Sequence, residues 1–229
     1  MAHRFDLIVV GAGAVGAYHA LHAARAGLSV ALLDRHDWPA GASIRNFGMA
    51  IPSGMAPGHW LDLARESAAI YRELAAAGAA TITGTGTLYL ATTDLETRVL
   101  SEFAARGPAL GYRCVLLDPA DARAFHPALT TGDTRAALHF PDDLQIDQRN
   151  LFRTLIPWMV ETLGVTWLPG RDVTAISRRQ RATEISTTTG ERFTGARAVI
   201  CPGPDLVNSC PALAAEAGIT TCKLQMLRT

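Results

Sequence analysis

The sequence predicts an α/β protein: a Rossmann-like, doubly wound dinucleotide-binding domain in discontinuous pieces, with an α+β domain inserted between them. Three observations predict it. The chain opens on Asp6-Leu-Ile-Val-Val-Gly-Ala-Gly-Ala-Val-Gly16, in strand, glycine loop, helix order. A second apolar run then ends on Asp34. Finally, a long middle stretch alternates strand and helix patterns without a glycine fingerprint of its own, before the strand patterns resume.

Leu7 to Val10 is a short apolar run with β-branched residues, the pattern of a strand buried on both faces. Gly11, Gly13 and Gly16 follow with G-x-G-x-x-G spacing, and Ala14 to Ala26 is Ala-rich and helical. Gly11 permits the tight turn out of the strand. Gly13 lets a pyrophosphate approach the backbone. Gly16 lets the helix pack close to the sheet. The loop residues Ala12, Ala14 and Val15 place backbone N–H groups at the helix N-terminus, where the dipole favours phosphate. Gly27 stands at the helix C-terminus, and Leu28 to Leu33 is a second buried strand. Asp34 ends it, about 20 residues past the glycines, where a carboxylate accepts ribose hydroxyls.

Composition narrows the function. The chain has 229 residues, 48% hydrophobic and 18% charged, a globular composition with ample core material. Zero formal net charge leaves no footprint for nucleic acid or an anionic membrane. Arg178, Arg179 and Arg181 read as a solvated hairpin end. No run approaches an integral membrane segment. Asp6 interrupts any signal-peptide pattern, and cleavage there would remove the glycine loop. Cys114, Cys201, Cys210 and Cys222 lack metal-ligand or C-x-x-C spacing. They read as buried free thiols in a reducing cytoplasm, so a cytoplasmic protein without a metal is expected.

After Asp34, Arg35 to Ser43 is a loop punctuated by Pro39 and Gly41, leading through Ile44 to Met49 and on to Gly54. So many Ser, Asn, Arg and Gly residues are unusual where an NAD(P)-dependent dehydrogenase would continue its βαβαβ unit. They suit a segment that wraps a flavin. Trp60, Leu63, Ala64, Ser67, Ile70, Tyr71 and Leu74 then recur at helical spacing over His59 to Ala77, ended by Gly78. Thr81 to Ala91 reads as a strand or hairpin, and Asp94 to Arg106 as a helix with Asp94 as N-cap. Cys114 to Leu117 is a strand, Asp118 to Pro127 a turn with one helical turn, and Ala136 to Phe140 a strand closed by Pro141-Asp-Asp143. A helix follows over Leu151 to Leu163, with Asp147 as N-cap, Gly164 as C-cap and Pro157 as a kink or break. Val165 to Leu168 is a parallel strand. Asp172 to Ser177, Ala182 to Thr187 and Glu191 to Phe193 form a meander, and Ala198 to Cys201 is a short buried strand before Pro202-Gly203-Pro204.

The glycine loop, the Asp34-Arg35 pair and Gly41-Ala-Ser-x-Arg-Asn-x-Gly48 resemble the FAD-dependent amine and amino-acid oxidoreductases, the family of glycine oxidase, sarcosine oxidase and D-amino-acid oxidase. The resemblance implies an FAD-binding domain over 1–55 and 146–217, with an α+β substrate domain over 56–145 and again from 218. It also implies that the C-terminal part of the fold is missing, because Thr220 to Thr229 stops in mid-strand. The cofactor implied is FAD. Its ligands are Gly11, Ala12, Gly13, Ala14, Val15, Gly16 and Asp34, with Arg35 either beside the adenine ribose or a surface charge. Ser43, Arg45 and Asn46 match the segment around pyrophosphate and ring; Gly48 lets the chain pass close to the ring and Met49 packs on it. Val173 matches a backbone contact to adenine. Gly203 matches the glycine of an A-T-G turn, here Cys201-Pro-Gly.

No Ser-His-Asp or paired-carboxylate arrangement stands out among His36, His59, His126, His139 and the acids, so no catalytic residue is assigned. This fits the implied chemistry, in which hydride passes from substrate carbon to flavin N5 and the imine hydrolyses afterwards. The implied partners are a small amine or amino acid, and oxygen or an electron carrier as acceptor. Lys223 and Arg228 are candidates to hold the substrate's anionic group. Ser43 to Met49 together with Lys223 to Arg228 looks most like a bacterial subgroup associated with aminophosphonate breakdown. The rival readings are an NAD(P)-dependent dehydrogenase and a non-catalytic flavin-binding or interaction fragment.

Overall fold

A computed structural model describes residues 3–129, 132–179 and 182–222. In chain order the elements are β1 (His3–Val10), α1 (Ala14–Arg25), β2 (Val30–Leu33), β3 (Met49–Ala50), α2 (His59–Ala76), β4 (Ile82–Ala91), α3 (Asp94–Arg106), β5 (Val115–Leu117) and α4 (Pro119–Phe125). There follow β6 (Ala136–Ile146), α5 (Leu151–Leu163), β7 (Thr166–Leu168), β8 (Val173–Arg179), β9 (Ala182–Thr187), β10 (Arg192–Ile200), α6 (Leu206–Ser209) and α7 (Pro211–Glu216). The chain packs as two compact units, one of residues 1–46 with 148–229 and one of residues 47–147.

The first unit is built on a six-stranded sheet in the order β7-β2-β1-β10-β9-β8. The four strands β7, β2, β1 and β10 are parallel, and β9 and β8 continue antiparallel. β2 is buried at every residue, as a strand covered on both faces must be. Ile8, Ala31, Leu33, Ile185 and Phe193 form one core cluster. α1 and α5 pack on each other, burying Ala17, Ala20 and Leu21 of one and Leu155, Ile156 and Met159 of the other.

Two elements differ from expectation here. The third meander strand and the short strand Ala198 to Cys201 are one strand, β10. Its start pairs antiparallel with β9 (Arg192 with Ser186), while its whole length runs parallel to β1, from Phe193 with His3 to Ile200 with Val10. Pro157 sits inside α5 without ending it. Asp147 is not its N-cap: Asn150 holds that position, and the Asp147 N–H donates to the Thr81 carbonyl in the second unit. Gly164 caps the helix in the left-handed region as expected.

The second unit centres on β6, which pairs antiparallel with β3, β4 and β5. Leu61, Tyr112, Leu138 and Phe140 form its core, with the Phe103 ring 5.1 Å from Tyr112 and 5.7 Å from Phe140. Pro141 does not close the strand. It falls where the β4–β6 register slips between Phe140 and Leu144, and so withholds no ladder N–H. α2 buries Leu61, Ala68 and Leu74 while Trp60 stays 62% exposed, so the packed face is rotated from the expected one. Thr93, rather than Asp94, caps α3: its Oγ1 accepts from the Glu96 N–H, and the Glu96 carboxylate accepts from the Thr93 N–H in return. Residues 47–55 belong to this unit, not to the first. Met49 and Ala50 pair with Gln145 and Leu144, and the Ser53 N–H and hydroxyl both donate to the buried Asp143 carboxylate.

Gly218 to Cys222 form no strand, and the segment from Lys223 to Thr229, with the candidate anion ligands Lys223 and Arg228, lies outside the described residues, as does Arg181. Cys114, Cys201 and Cys210 are half-buried and Cys222 exposed, all free thiols, so none is buried as expected. Burial pushes the Cys114 and Cys201 thiols up. Among the described residues no helix is long and apolar enough to cross a membrane, and no three His, Cys, Asp or Glu side chains converge on a metal position.

Candidate cofactor site

The site grows from the end of β1. Gly11 turns the chain with φ at 96°, and its N–H donates to the Leu33 carbonyl at 2.7 Å. A Cβ on Gly11 would lie 2.1 Å from the Cys201 carbonyl oxygen, and one on Gly16 would lie 1.7 Å from the Gly11 carbonyl oxygen. These two glycines therefore let three backbones meet: the end of β1, the end of β10 and the first turn of α1. Gly13 is different. Among the described residues a Cβ there would meet only Ser43, with Oγ at 3.0 Å, so no backbone crowds it on that side.

Two side chains reach into this loop. Asp34 Oδ2 accepts the Ala12 N–H at 2.8 Å, and its Oδ1 accepts the His36 N–H at 2.9 Å. A carboxylate has about four acceptor positions, so both oxygens keep lone pairs for hydroxyl donors. Ser43, on a short 3-10 turn over Ala42–Ile44, accepts the Ala14 N–H through Oγ at 2.8 Å. Because that oxygen accepts, its own proton remains available to an anion. Among the described residues the N–H groups of Gly13, Val15 and Gly16 have no acceptor. They are the orphan donors of a helix start, aimed with the positive end of the dipole.

The other expected residues divide. Asn46 turns its amide back onto its own loop, to the carbonyls of Ser43 at 2.8 Å and Ala42 at 3.3 Å. Arg45 is exposed. Arg35 pairs with Asp205, Nη1 to Oδ2 at 3.0 Å. Val173 opens β8 and packs half-buried against the core cluster. Gly203 takes φ at 59° in the turn after β10, and among the described residues nothing lies within 4 Å of a Cβ there. Gly48 and Met49 lie in the second unit. Gly48 is buried with φ at 70° and its carbonyl accepts the Ile146 N–H at 2.7 Å, while Met49 is 55% exposed.

Sequence reasoning missed Asp205 and Arg171. The Arg171 N–H donates to the Asp34 carbonyl at 2.8 Å, and its guanidinium forms a fork on Glu191 at 2.9 and 3.1 Å. That fork holds Glu191 below the usual carboxylate range. Neither residue has a partner at a recognisable spacing, so no local signal marks them.

In the second unit the 1% exposed Asp143 accepts from Ser53, whose Oγ also lies 3.2 Å from the Tyr89 hydroxyl. Burial lowers the His139 pKa, opposed by nearby Asp143 and reinforced by Arg113, and its ring packs 4.4 Å from Phe125.

A parallel sheet with a glycine turn at the central strand, free N–H groups at a helix start and an acid on the next strand defines a dinucleotide-binding protein. Residues 6–229 match the model of the family DAO, FAD dependent oxidoreductase, and the chain belongs to that family. FAD is its cofactor, and the acceptor-free N–H groups and the lone pairs of Asp34 fit a pyrophosphate and a ribose. No curated protein matches.

Solved structures share the fold, among them the following three. Glycine oxidase from Geobacillus kaustophilus is 24% identical with a TM-score of 0.76, over 95% of this chain and 59% of that one. L-Proline dehydrogenase from P. horikoshii is 19% identical with a TM-score of 0.76, over 97% and 58%. L-α-Glycerophosphate oxidase from Mycoplasma pneumoniae, with FAD bound, is 18% identical with a TM-score of 0.72, over 93% and 56%. The chain thus spans less than three-fifths of the length of each of these structures.

Proposed function

We propose that the protein oxidises the C–N bond of a small amine or amino acid with FAD, passing the electrons to oxygen or an electron carrier, while the imine product hydrolyses in water. Aminophosphonates are among the substrates that the sequence resemblance singles out. The observation that carries this reading is the trio of acceptor-free N–H groups at Gly13, Val15 and Gly16, beside the open lone pairs of Asp34. When bound, FAD supplies the two-electron acceptor for the C–H bond beside the substrate nitrogen.

The chain's own residues bind and orient. Gly13, Val15 and Gly16 donate to the pyrophosphate, and Ser43 adds its hydroxyl proton. Asp34 accepts a ribose hydroxyl, the Val173 backbone flanks the adenine, and Gly203 gives the phosphates an unobstructed approach. A simple NAD(P) domain is disfavoured by the chain path, since the strand beside β2 is β7, which begins only at Thr166.

The test is an absorption spectrum of the purified chain before and after FAD, followed by desalting. Flavin bands that survive desalting support the reading, and candidate amines and amino acids are then screened by anaerobic bleaching. Colourless protein overturns the cofactor assignment for this chain. Yellow protein that no amine bleaches keeps the cofactor and removes the substrate class.

A further inference from the structure

The Arg35–Asp205 ion pair joins the two flanks of the cofactor crevice. Val10, the last residue of β1, stands between Leu33 of β2 and Ile200 of β10 in register. Neighbouring strands lie about 4.8 Å apart, so these flanks are roughly 10 Å from each other, with the chain leaving between them at Gly11. Arg35 follows Leu33 and Asp34 on one flank. Asp205 follows the Gly203 turn on the other and also accepts the Ser209 hydroxyl at 3.3 Å. Their side chains meet at 3.0 Å. Arg35 does not fold back on the adjacent Asp34, whose two oxygens face the Ala12 and His36 N–H groups.

We infer that this pair is a strap across the crevice which opens to admit and release FAD and closes again once it is bound. The inference rests on the FAD reading above. Both side chains are partly exposed, 43% and 26%, so the pair is weak and salt-sensitive. A weak bond suits a gate, because it opens often. The pair is a contact of the chain with itself, and a contact equally strong in the free and bound states changes the barrier between them, not their difference. Breaking the strap therefore speeds entry and exit together and leaves the dissociation constant nearly unchanged. A guanidinium serving mainly as a contact to the adenosine would behave otherwise: its loss would raise the exit rate alone and weaken binding by the same factor.

The experiment follows FAD association and displacement by stopped-flow flavin fluorescence, for the unmodified chain, Asp205→Asn and Arg35→Gln. Both variants are expected to raise both rates roughly two- to fivefold, the effect of one exposed ion pair, with the dissociation constant within about twofold of the unmodified chain's. From about 0.1 to about 1 M salt the screening length falls from about 10 to about 3 Å. Over that range the unmodified chain is expected to approach the variants, a convergence that sets aside the salt response of FAD's own charge. A rise in the exit rate alone with matched loss of affinity overturns the strap in favour of a binding contact. Rates unchanged in both variants overturn it outright. No FAD bound by any of the three chains overturns the strap and the FAD reading together.

Discussion

At the scale of single residues, the three glycines of the loop have unequal jobs. Gly16 is held by backbone: any side chain there collides with the Gly11 carbonyl, which no rotamer relieves. Gly16→Ala is expected to cost roughly 1–3 kcal/mol in urea unfolding, the range for overpacking a filled site, and to weaken FAD binding at least about tenfold, since 1.4 kcal/mol is a factor of ten. Gly27→Ala is the contrasting case. It also has positive φ, at 81°, but open space around it, so only the left-handed backbone cost of about 1–2 kcal/mol applies and FAD affinity is kept. Equal loss of FAD affinity in the two variants would contradict this division. The placement of the glycines and Asp34 is legible in the sequence because it follows a fixed spacing along the chain. Asp205 is not, since its partner Arg35 lies 170 positions away.

At the scale of elements, local chemistry sets helix ends and tertiary packing sets strand lengths. The Thr93-x-x-Glu96 box closes α3 at its start by two reciprocal hydrogen bonds, with Thr92 donating to the same carboxylate. Thr93→Ala is expected to lower stability by about 1 kcal/mol and Asp94→Ala by less; thermal unfolding of the two variants checks this, and the reverse order would restore Asp94 as the cap. β10 could not be read as one strand, because only its first half has the antiparallel neighbour β9 while its whole length follows β1. Gly195 sits within it where a Cβ would lie 2.9 Å from Ile8 Cγ1, so β10 is specified by its packing on β1. α2 was misread for a related reason: Trp60 and Leu63 share the helical period, but the sheet of the second unit takes the face of Leu61, Ala68 and Leu74.

For the whole molecule, the depressed acids and His139 set the response to pH. Hydrogen bonds from Ser29 lower the Asp6 pKa, those from Thr92 and Thr93 lower Glu96, and those from Arg171 and Thr189 lower Glu191. A carboxyl depressed in the folded state stabilises above its unfolded pKa of about 4 and loses that contribution as pH falls through the folded value. His139 follows the same sign, because burial disfavours its charged form: its contribution is complete above about 6.5 and is lost as pH falls toward its lowered folded value. The urea midpoint is thus expected to fall in two stages on acidification, first below about pH 6.5 and again below about pH 4. His139→Gln should remove the first stage only. A midpoint flat from pH 7 to about 5 in the unmodified chain would refute the part given to His139.

The sequence by itself determined the class of the fold, the glycine turn after β1 with Asp34 at the end of the next strand, and the presence of an inserted α+β stretch. Each rests on short-range regularities: the period of buried residues, glycines at fixed spacing, and an acid one strand further on. Only the tertiary structure decided that the inserted unit begins at Phe47, that β6 runs through Pro141, and that Arg35 reaches Asp205 rather than its neighbour Asp34. Those outcomes depend on which strands lie side by side. Hydrogen-bond register and side-chain reach act across the sheet, and no pattern along the chain encodes them.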